Sequence, residues 1–194
     1  MKSLLKIGIT AIVAGALFWG CTEIKLPVSV PATIPVIDST TLEGTAIGVM
    51  TPDSGFLKRH IVMDSIVNNW QQYVGNIDSL RPDSARALLI NLSSDTATFH
   101  VYFSDDSTLT RDNVADSATE IGSITIPGND TIVVNGSNWS SFFNMTGLMQ
   151  FFVSQIIEGD GQFYIYVTAE GVHTNSFMIV VTDYNYYITL FASL

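Results

Sequence analysis

The sequence predicts a mainly β chain: an antiparallel two-layer β-sandwich of immunoglobulin-like architecture, with two amphipathic helices packed on it. Three observations carry this expectation. About eight short segments alternate apolar and polar residues, the period of a half-buried strand. Turn-forming residues separate them, most plainly in Pro127-Gly128-Asn129-Asp130. Two longer segments instead repeat apolar residues every three or four positions, the period of a helix laid on a core. At 194 residues the chain suits one domain with appendages. With 47% hydrophobic residues it is too apolar for a disordered acidic tail.

The N-terminus reads as a targeting segment, to be set aside before the fold is considered. Lys2 and Lys6 make a short positive start, and Ile7 to Trp19 is uncharged. That run is shorter than the roughly 20 apolar residues of a membrane span, so it fits the h-region of a signal peptide. Gly20 precedes Cys21, the one cysteine in the chain. Phe18-Trp19-Gly20-Cys21 resembles the lipoprotein signal of bacteria, in which signal peptidase II cuts before a Cys that carries lipid. In that pattern a Leu and two small residues precede the Cys. Here Leu17 stands one place early, and Phe18 and Trp19 are bulky. The resemblance implies removal of residues 1–20 and a membrane held through lipidated Cys21. In such lipoproteins Asp after the Cys favours inner-membrane retention, so with Thr22 there the resemblance implies the outer membrane of a Gram-negative cell envelope. The mature chain would keep 6 basic and 18 acidic residues, a net charge of −12, and no free thiol. A disulfide scaffold, a zinc–cysteine site and a cysteine hydrolase are excluded.

Residues 21–39 follow as a tether. Pro27, Pro31 and Pro35 recur every fourth position, and proline cannot donate to a central ladder. At about 3.1 Å per residue such a tether would hold the domain about 50 Å from a membrane and end in an edge strand near Ile34–Ile37; the alternative is that its second half is a first strand packed on the domain. The domain itself is expected over 40–194. In its first helix, near 60–77, Val62, Ile66, Trp70, Tyr73 and Ile77 share a face. In the second, near 140–158, Phe142, Met145, Met149, Phe152 and Ile156 do so, and Gly159 and Gly161 end it. Strands are expected at Ala85–Leu92, Thr98–Ser104, Glu120–Ile126, Asp130–Asn135, Gln162–Thr168, Ser176–Thr182 and Tyr186–Ala192. Asp183–Asn185 is read as a turn between the last two. A small outer-membrane barrel would want about ten alternating residues in every strand, which these segments lack.

Chemistry is sparse in this sequence. His60, His100 and His173 have no metal-ligand spacing, and no HExxH, GxSxG, GxGxxG or Walker pattern occurs. Asp105-Asp106, or Glu158 with Asp160, would have to converge across a cleft to serve a glycosidase. Asp105, Asp106, Asp112, Asp116 and Glu120 are oxygen ligands of the kind calcium takes, without EF-hand spacing. Beyond Arg111 there is no Lys or Arg, so nucleic acid is excluded as a partner. Tyr164 and Tyr166 share one strand face, and Tyr184, Tyr186 and Tyr187 cluster later. Exposed aromatics can stack on sugar rings or anchor a protein. The expectation is therefore a non-enzymatic binding or structural module with no cofactor, metal or catalytic residue, and an envelope protein or a glycan as partner. Its alternatives are a carrier of an apolar ligand, in a cavity under the helix at 142–157, and a small hydrolase.

One local pattern is over-represented. Nine of the thirteen Asp residues are followed by Ser or Thr, although those two types make up only 38 of the 194 residues. Eight continue as Asp-Ser/Thr-Ala/Ile/Leu/Thr, as in Asp106-Ser107-Thr108, Asp116-Ser117-Ala118 and Asp130-Thr131-Ile132. This resembles an O-glycosylation sequon of one group of Gram-negative bacteria. It implies glycans at turn and strand-end hydroxyls such as Ser107, Ser117 and Thr131. The competing account is that Asp-Ser and Asp-Thr pairs start turns and cap helices.

Overall fold

The computed structural model describes residues 26–44, 55–171 and 177–194. The expected signal segment, Cys21 and His173 lie outside them. Among the described residues eight strands form two four-stranded antiparallel sheets. They are β1 (Pro27–Gly44), β2 (Phe56–Val62), β3 (Ile77–Asn91), β4 (Ala97–Ser104), β5 (Thr119–Ile126), β6 (Thr131–Val134), β7 (Gln162–Gly171) and β8 (Phe177–Ser193). Sheet A has the order β1-β8-β3-β6 and sheet B the order β2-β7-β4-β5. Every outer rung pairs strands whose numbers sum to nine: β1 with β8, β2 with β7, β3 with β6 and β4 with β5. This is a long antiparallel ribbon wound over itself, with alternate rungs in opposite layers: the jelly-roll form of the expected two-layer sandwich.

The prolines of 27–35 belong to a strand, not to a tether. Leu26 and Leu194 exchange both backbone hydrogen bonds, at 2.7 and 3.1 Å. The register then runs unbroken from Pro27↔Ser193 to Pro35↔Asn185. Hydrogen-bonded and non-bonded pairs alternate along an antiparallel ladder. Even positions of β1 therefore donate to β8, and the amide positions of Pro27, Pro31 and Pro35 all face the free edge. Proline is tolerated there and denies a neighbouring strand three donors. The same parity turns Ala32, Ile34 and Val36 into the core. Period four is thus twice the strand period, with the missing amides on the side where no described strand pairs.

Strand β8 corrects a second expectation. Asp183–Asn185 is not a turn but a bulge in one continuous strand, with Asp183 at φ 55°. Before it Phe177, Ile179 and Val181 face inward; after it Tyr184, Tyr186, Ile188 and Leu190 do. The parity of the buried set changes from odd to even. Without the extra residue, Asn185, Tyr187 and Thr189 would face the core. Asp is one of the few residues that adopt this left-handed conformation readily.

The helices are shorter than expected. The segment near 60–77 holds the end of β2, two single turns, α1 (Met63–Ile66) and α2 (Trp70–Tyr73), and the start of β3. Asn69 between the turns is left-handed, at φ 61° and ψ 34°. Tertiary contacts override the helical period. Met63 N donates to Gly161 O at 2.9 Å, and Trp70 lies so close to Gly161 that a β-carbon there would be 2.8 Å from its ring. Gly161 has φ +75°, a further reason for glycine. After a short strap helix, α3 (Arg111–Ser117), the last helix is α4 (Met145–Phe152), which continues as one π turn over Val153–Ile157. Asn144 caps α4 by accepting from Gly147 N at 3.0 Å. Leu148, Phe152 and Ile156 are buried, and Phe152 meets the rings of Phe103, Phe163 and Tyr186. Among the described residues no helix is long and apolar enough to cross a membrane.

The register makes a prediction about β1. Ala32→Pro removes a donor to β8 and crowds the core, so it is expected to cost at least about 2 kcal/mol. Pro31→Ala, at an outward amide, is expected to cost under about 1 kcal/mol, through the unfolded chain. Urea denaturation distinguishes them; equal losses would mean that the ladder has the opposite parity.

Candidate functional site on the outer face of sheet B

The outer face of sheet B is built from the polar-face positions of its strands. Cross-strand pairing sets His60 opposite Tyr164, Lys58 opposite Tyr166, and Tyr102 opposite Tyr166. Directly opposed side chains on an antiparallel pair touch. The His60 and Tyr164 rings accordingly stack at 4.6 Å and 14°, and Lys58 Nζ lies 4.9 Å from the Tyr164 ring centre. Phe56 and Tyr166 stack at 5.8 Å.

Residues 105–118 cross this face as a strap. Asp106 Oδ1 accepts from Thr108 N and Oγ1, each at 2.7 Å, closing an Asx turn. Asn113 Oδ1 accepts from Thr110 N at 2.7 Å and starts α3. Leu109 and Val114 are buried against Tyr102 and Tyr166, a second small core outside the sandwich. Two tethers fasten the strap to the sheet: the Tyr166 hydroxyl donates to Asp106 O at 2.5 Å, and Lys58 Nζ donates to Ser107 O. The stretch read as an acidic loop is therefore a folded cover. Its carboxylates do not converge: among the described residues no group of three or more His, Cys, Asp or Glu could hold a metal ion.

The strap leaves a cleft on each side. One, of about 410 Å³, is lined by His60, Asp105, Gln155, Asp160, Gln162 and Tyr164. Its Asp160 carboxylate is ordered by Gln162, whose N and Nε2 donate to it at 2.9 and 3.3 Å. The other, of about 190 Å³, is lined by His100, Tyr102, Arg111, Val114, Thr168 and Glu170. His100 there lies between two carboxylates, with Nδ1 2.8 Å from Glu120 Oε1 and Nε2 3.4 Å from Glu170 Oε1.

Burial and local hydrogen bonds act on three ionisable groups of this face, Tyr102, Tyr166 and Asp106. Burial, and after it the Glu120 carboxylate, raises the Tyr102 phenol above its usual range. Burial, and after it Asp106, does the same to Tyr166. Both phenols stay protonated and can donate hydrogen bonds. Hydrogen bonds from Thr108, chiefly from its hydroxyl, hold the Asp106 carboxyl below the usual carboxylate range. Asp106 is thus a structural acceptor of the strap. The arrangement offers flat aromatic surface, fixed carboxylates and amides: groups that recognise a polar ligand.

The structure separates the other sequence candidates. Ser107 lies exposed on the strap, Ser117 ends α3, and Thr131 begins β6, each with its side chain in solvent. Tyr184 and Tyr186 are not surface aromatics. They are buried between the sheets, their hydroxyls hydrogen-bonded to each other, and burial raises both phenols. The His60–Tyr164 stack is not legible in the sequence, because the helical period near 60–77 hides the end of β2. The alternation of Phe56, Lys58 and His60 with Leu57, Arg59 and Ile61 carries too little contrast to reveal β2.

No protein-family model matches this chain, and no curated protein matches it in sequence. Among solved structures it is similar to Desmodium yellow mottle tymovirus, with 13% identity over 88% of this chain and 89% of that one, at a TM-score of 0.32. It is similar to PirA, with 9% identity over 77% and 94% of the two chains, at 0.32. A third is a carbohydrate-binding module, CBM36, in complex with calcium and xylotriose, with 10% identity over 84% and 97%, at 0.31. Likeness at this level carries no argument about function.

Tyr166→Phe removes the bond to Asp106 while keeping the ring. It is expected to cost about 1 kcal/mol in urea denaturation and to raise amide hydrogen exchange over 105–118. Unchanged exchange there would show that Leu109, Val114 and the Lys58–Ser107 bond hold the strap without Tyr166.

Proposed function

We propose that the protein is an exported, lipid-anchored cell-envelope protein that binds its partner without transforming it, and that this partner is a glycan seated in the cleft of His60 and Tyr164. The observation that carries the reading is the stacked pair beside the ordered Asp160 carboxylate. Aromatic faces pack on the apolar faces of sugar rings, and carboxylates and amides accept and donate to hydroxyls. Asp105 and Asp160 make the cleft unfavourable for anionic sugars, so the glycan is neutral. The space beneath α4 is filled by Leu148, Phe152 and Ile156, which favours a binding module over a carrier of an apolar ligand. The anchor rests on Lys2, Lys6, the apolar run and Cys21.

O-glycans at Ser107, Ser117 and Thr131 belong to the same proposal. All three hydroxyl-bearing residues are exposed. The turn account holds well at Asp106, but Asp38, Asp78 and Asp83 of the same pattern lie inside strands. Asp83 there accepts from Thr189 Oγ1 across the ladder at 2.6 Å. Turn formation therefore explains only part of the enrichment.

Two measurements check the proposal. On an array of neutral and acidic saccharides the protein is expected to retain neutral glycans, with His60→Ala weakening retention at least about tenfold, or 1.4 kcal/mol. No retention, or equal retention by the variant, would sink the cleft. Intact mass from the native host is expected to equal residues 21–194 plus acyl chains and hexose-type increments. Loss of the acyl mass is expected in Cys21→Ser. A mass without increments would leave only the turn account.

A further inference from the structure

We propose that the end of the sandwich carrying Leu26 and Leu194 lies against a lipid surface, so that the strands stand on the membrane with their Asn91 and Gly44 ends pointing away. The inference rests on the reading of Cys21 as the acylated residue. It follows from the length of chain between that residue and the first strand. Five Cα steps separate Cys21 from Leu26, and at no more than about 3.6 Å each they reach at most about 18 Å. Strand β3 alone, with 15 residues, is about 45 Å long, so the anchor can serve only the end where β1 begins.

That end has the side chains for such contact. Leu26 is 63% exposed and Leu194 42% exposed, and they are partners on adjacent strands. These are two of the five large hydrophobic residues left exposed among the described residues. Asn76 lies beside them, its carbonyl accepting from Ser193 N at 3.0 Å. Two isolated leucines next to a covalent anchor suit shallow insertion at the headgroup boundary, where a second apolar contact adds to the acyl chains. Asp78, hydrogen-bonded to Ser193 Oγ, lies at this end, and Glu23 and Lys25 shortly precede Leu26 in the sequence, so charges of both signs fit it to a zwitterionic surface. The same end also holds α1, α2 and the Gly161 turn, which brings the cleft of Asp160 and Tyr164 near the membrane.

The test uses the acylated full chain in phosphatidylcholine nanodiscs. With Cys21 acylated, Asn76→Cys and Leu92→Cys each supply a single thiol for a fluorophore, and nitroxide-bearing phosphatidylcholine supplies the quencher. The label at residue 76 is expected to lose most of its fluorescence, and the label at residue 92, at the far end of β3, to keep it. Leu194→Cys repeats the near-end reading should Asn76→Cys fold poorly. Replacing Leu26 and Leu194 by Asp is expected to restore much of the fluorescence at residue 76. Equal quenching at both ends, stronger quenching at residue 92, or quenching at residue 76 untouched by the Asp pair would overturn the inference while the anchor stands. If the protein does not float with the discs, or Cys21→Ser floats equally well, anchor and orientation fall together.

Discussion

Strand β8 is the interaction on which the rest depends. It is paired with β1 on one side and β3 on the other over nearly its whole length. Its inward residues, Ile179, Val181, Tyr184, Tyr186, Ile188 and Leu190, form the middle of the core. Gly44 and Phe177 are register partners although most of the domain lies between them in sequence. Loop closure on that scale costs chain entropy before the ladder rewards it, which slows folding. The single bulge at Asp183 is what lets one strand serve both halves of the core. It moves the buried set from odd to even positions, and the partner strands shift register beside it, between Pro35 and Ile37 on β1 and between Arg86 and Leu88 on β3.

The two sheets are finished differently. Sheet A ends in an edge strand whose outward amides are interrupted by three prolines, which disfavours strand addition. Sheet B receives a cover instead. Leu109 and Val114 bring the strap onto Tyr102 and Tyr166, and two hydrogen bonds to strap carbonyls pin it there. Because the strap is narrow, it divides the face rather than hiding it, and the two clefts are its margins. The aromatic residues therefore serve two ends. Tyr102 and Tyr166 hold the cover, while Tyr164 and His60 remain beside open space.

The low charge content fits this arrangement. With 13% charged residues, polar work falls to Ser, Thr, Asn and the backbone. Asn91 shows how far this goes: its buried amide donates to Asp95 O, Ile126 O and Pro127 O at 2.8, 3.0 and 3.1 Å, tying the β3–β4 turn to the β5–β6 turn. A neutral amide does this without the desolvation cost of a buried charge.

What the sequence determined by itself is the class of fold and most of its strands. Alternation in 98–104, 120–126 and 162–168 is a local property of a surface with one wet face, and it survives into the structure. The α4 stripe and the Pro127-Gly128 turn were legible for the same reason. What only the tertiary structure decided depends on partners distant in the chain. Period-four proline looks like a tether until a strand is present on one side and absent on the other. Asp183 looks like a turn until two neighbours hold the strand straight through it. The 60–77 period looks like one helix until Met63 and Trp70, one on each turn, both close on Gly161 with left-handed Asn69 between them. His60 and Tyr164 become a site only through the register of β2 on β7, because a stacking contact is a property of a pair of strands and is written in neither one alone.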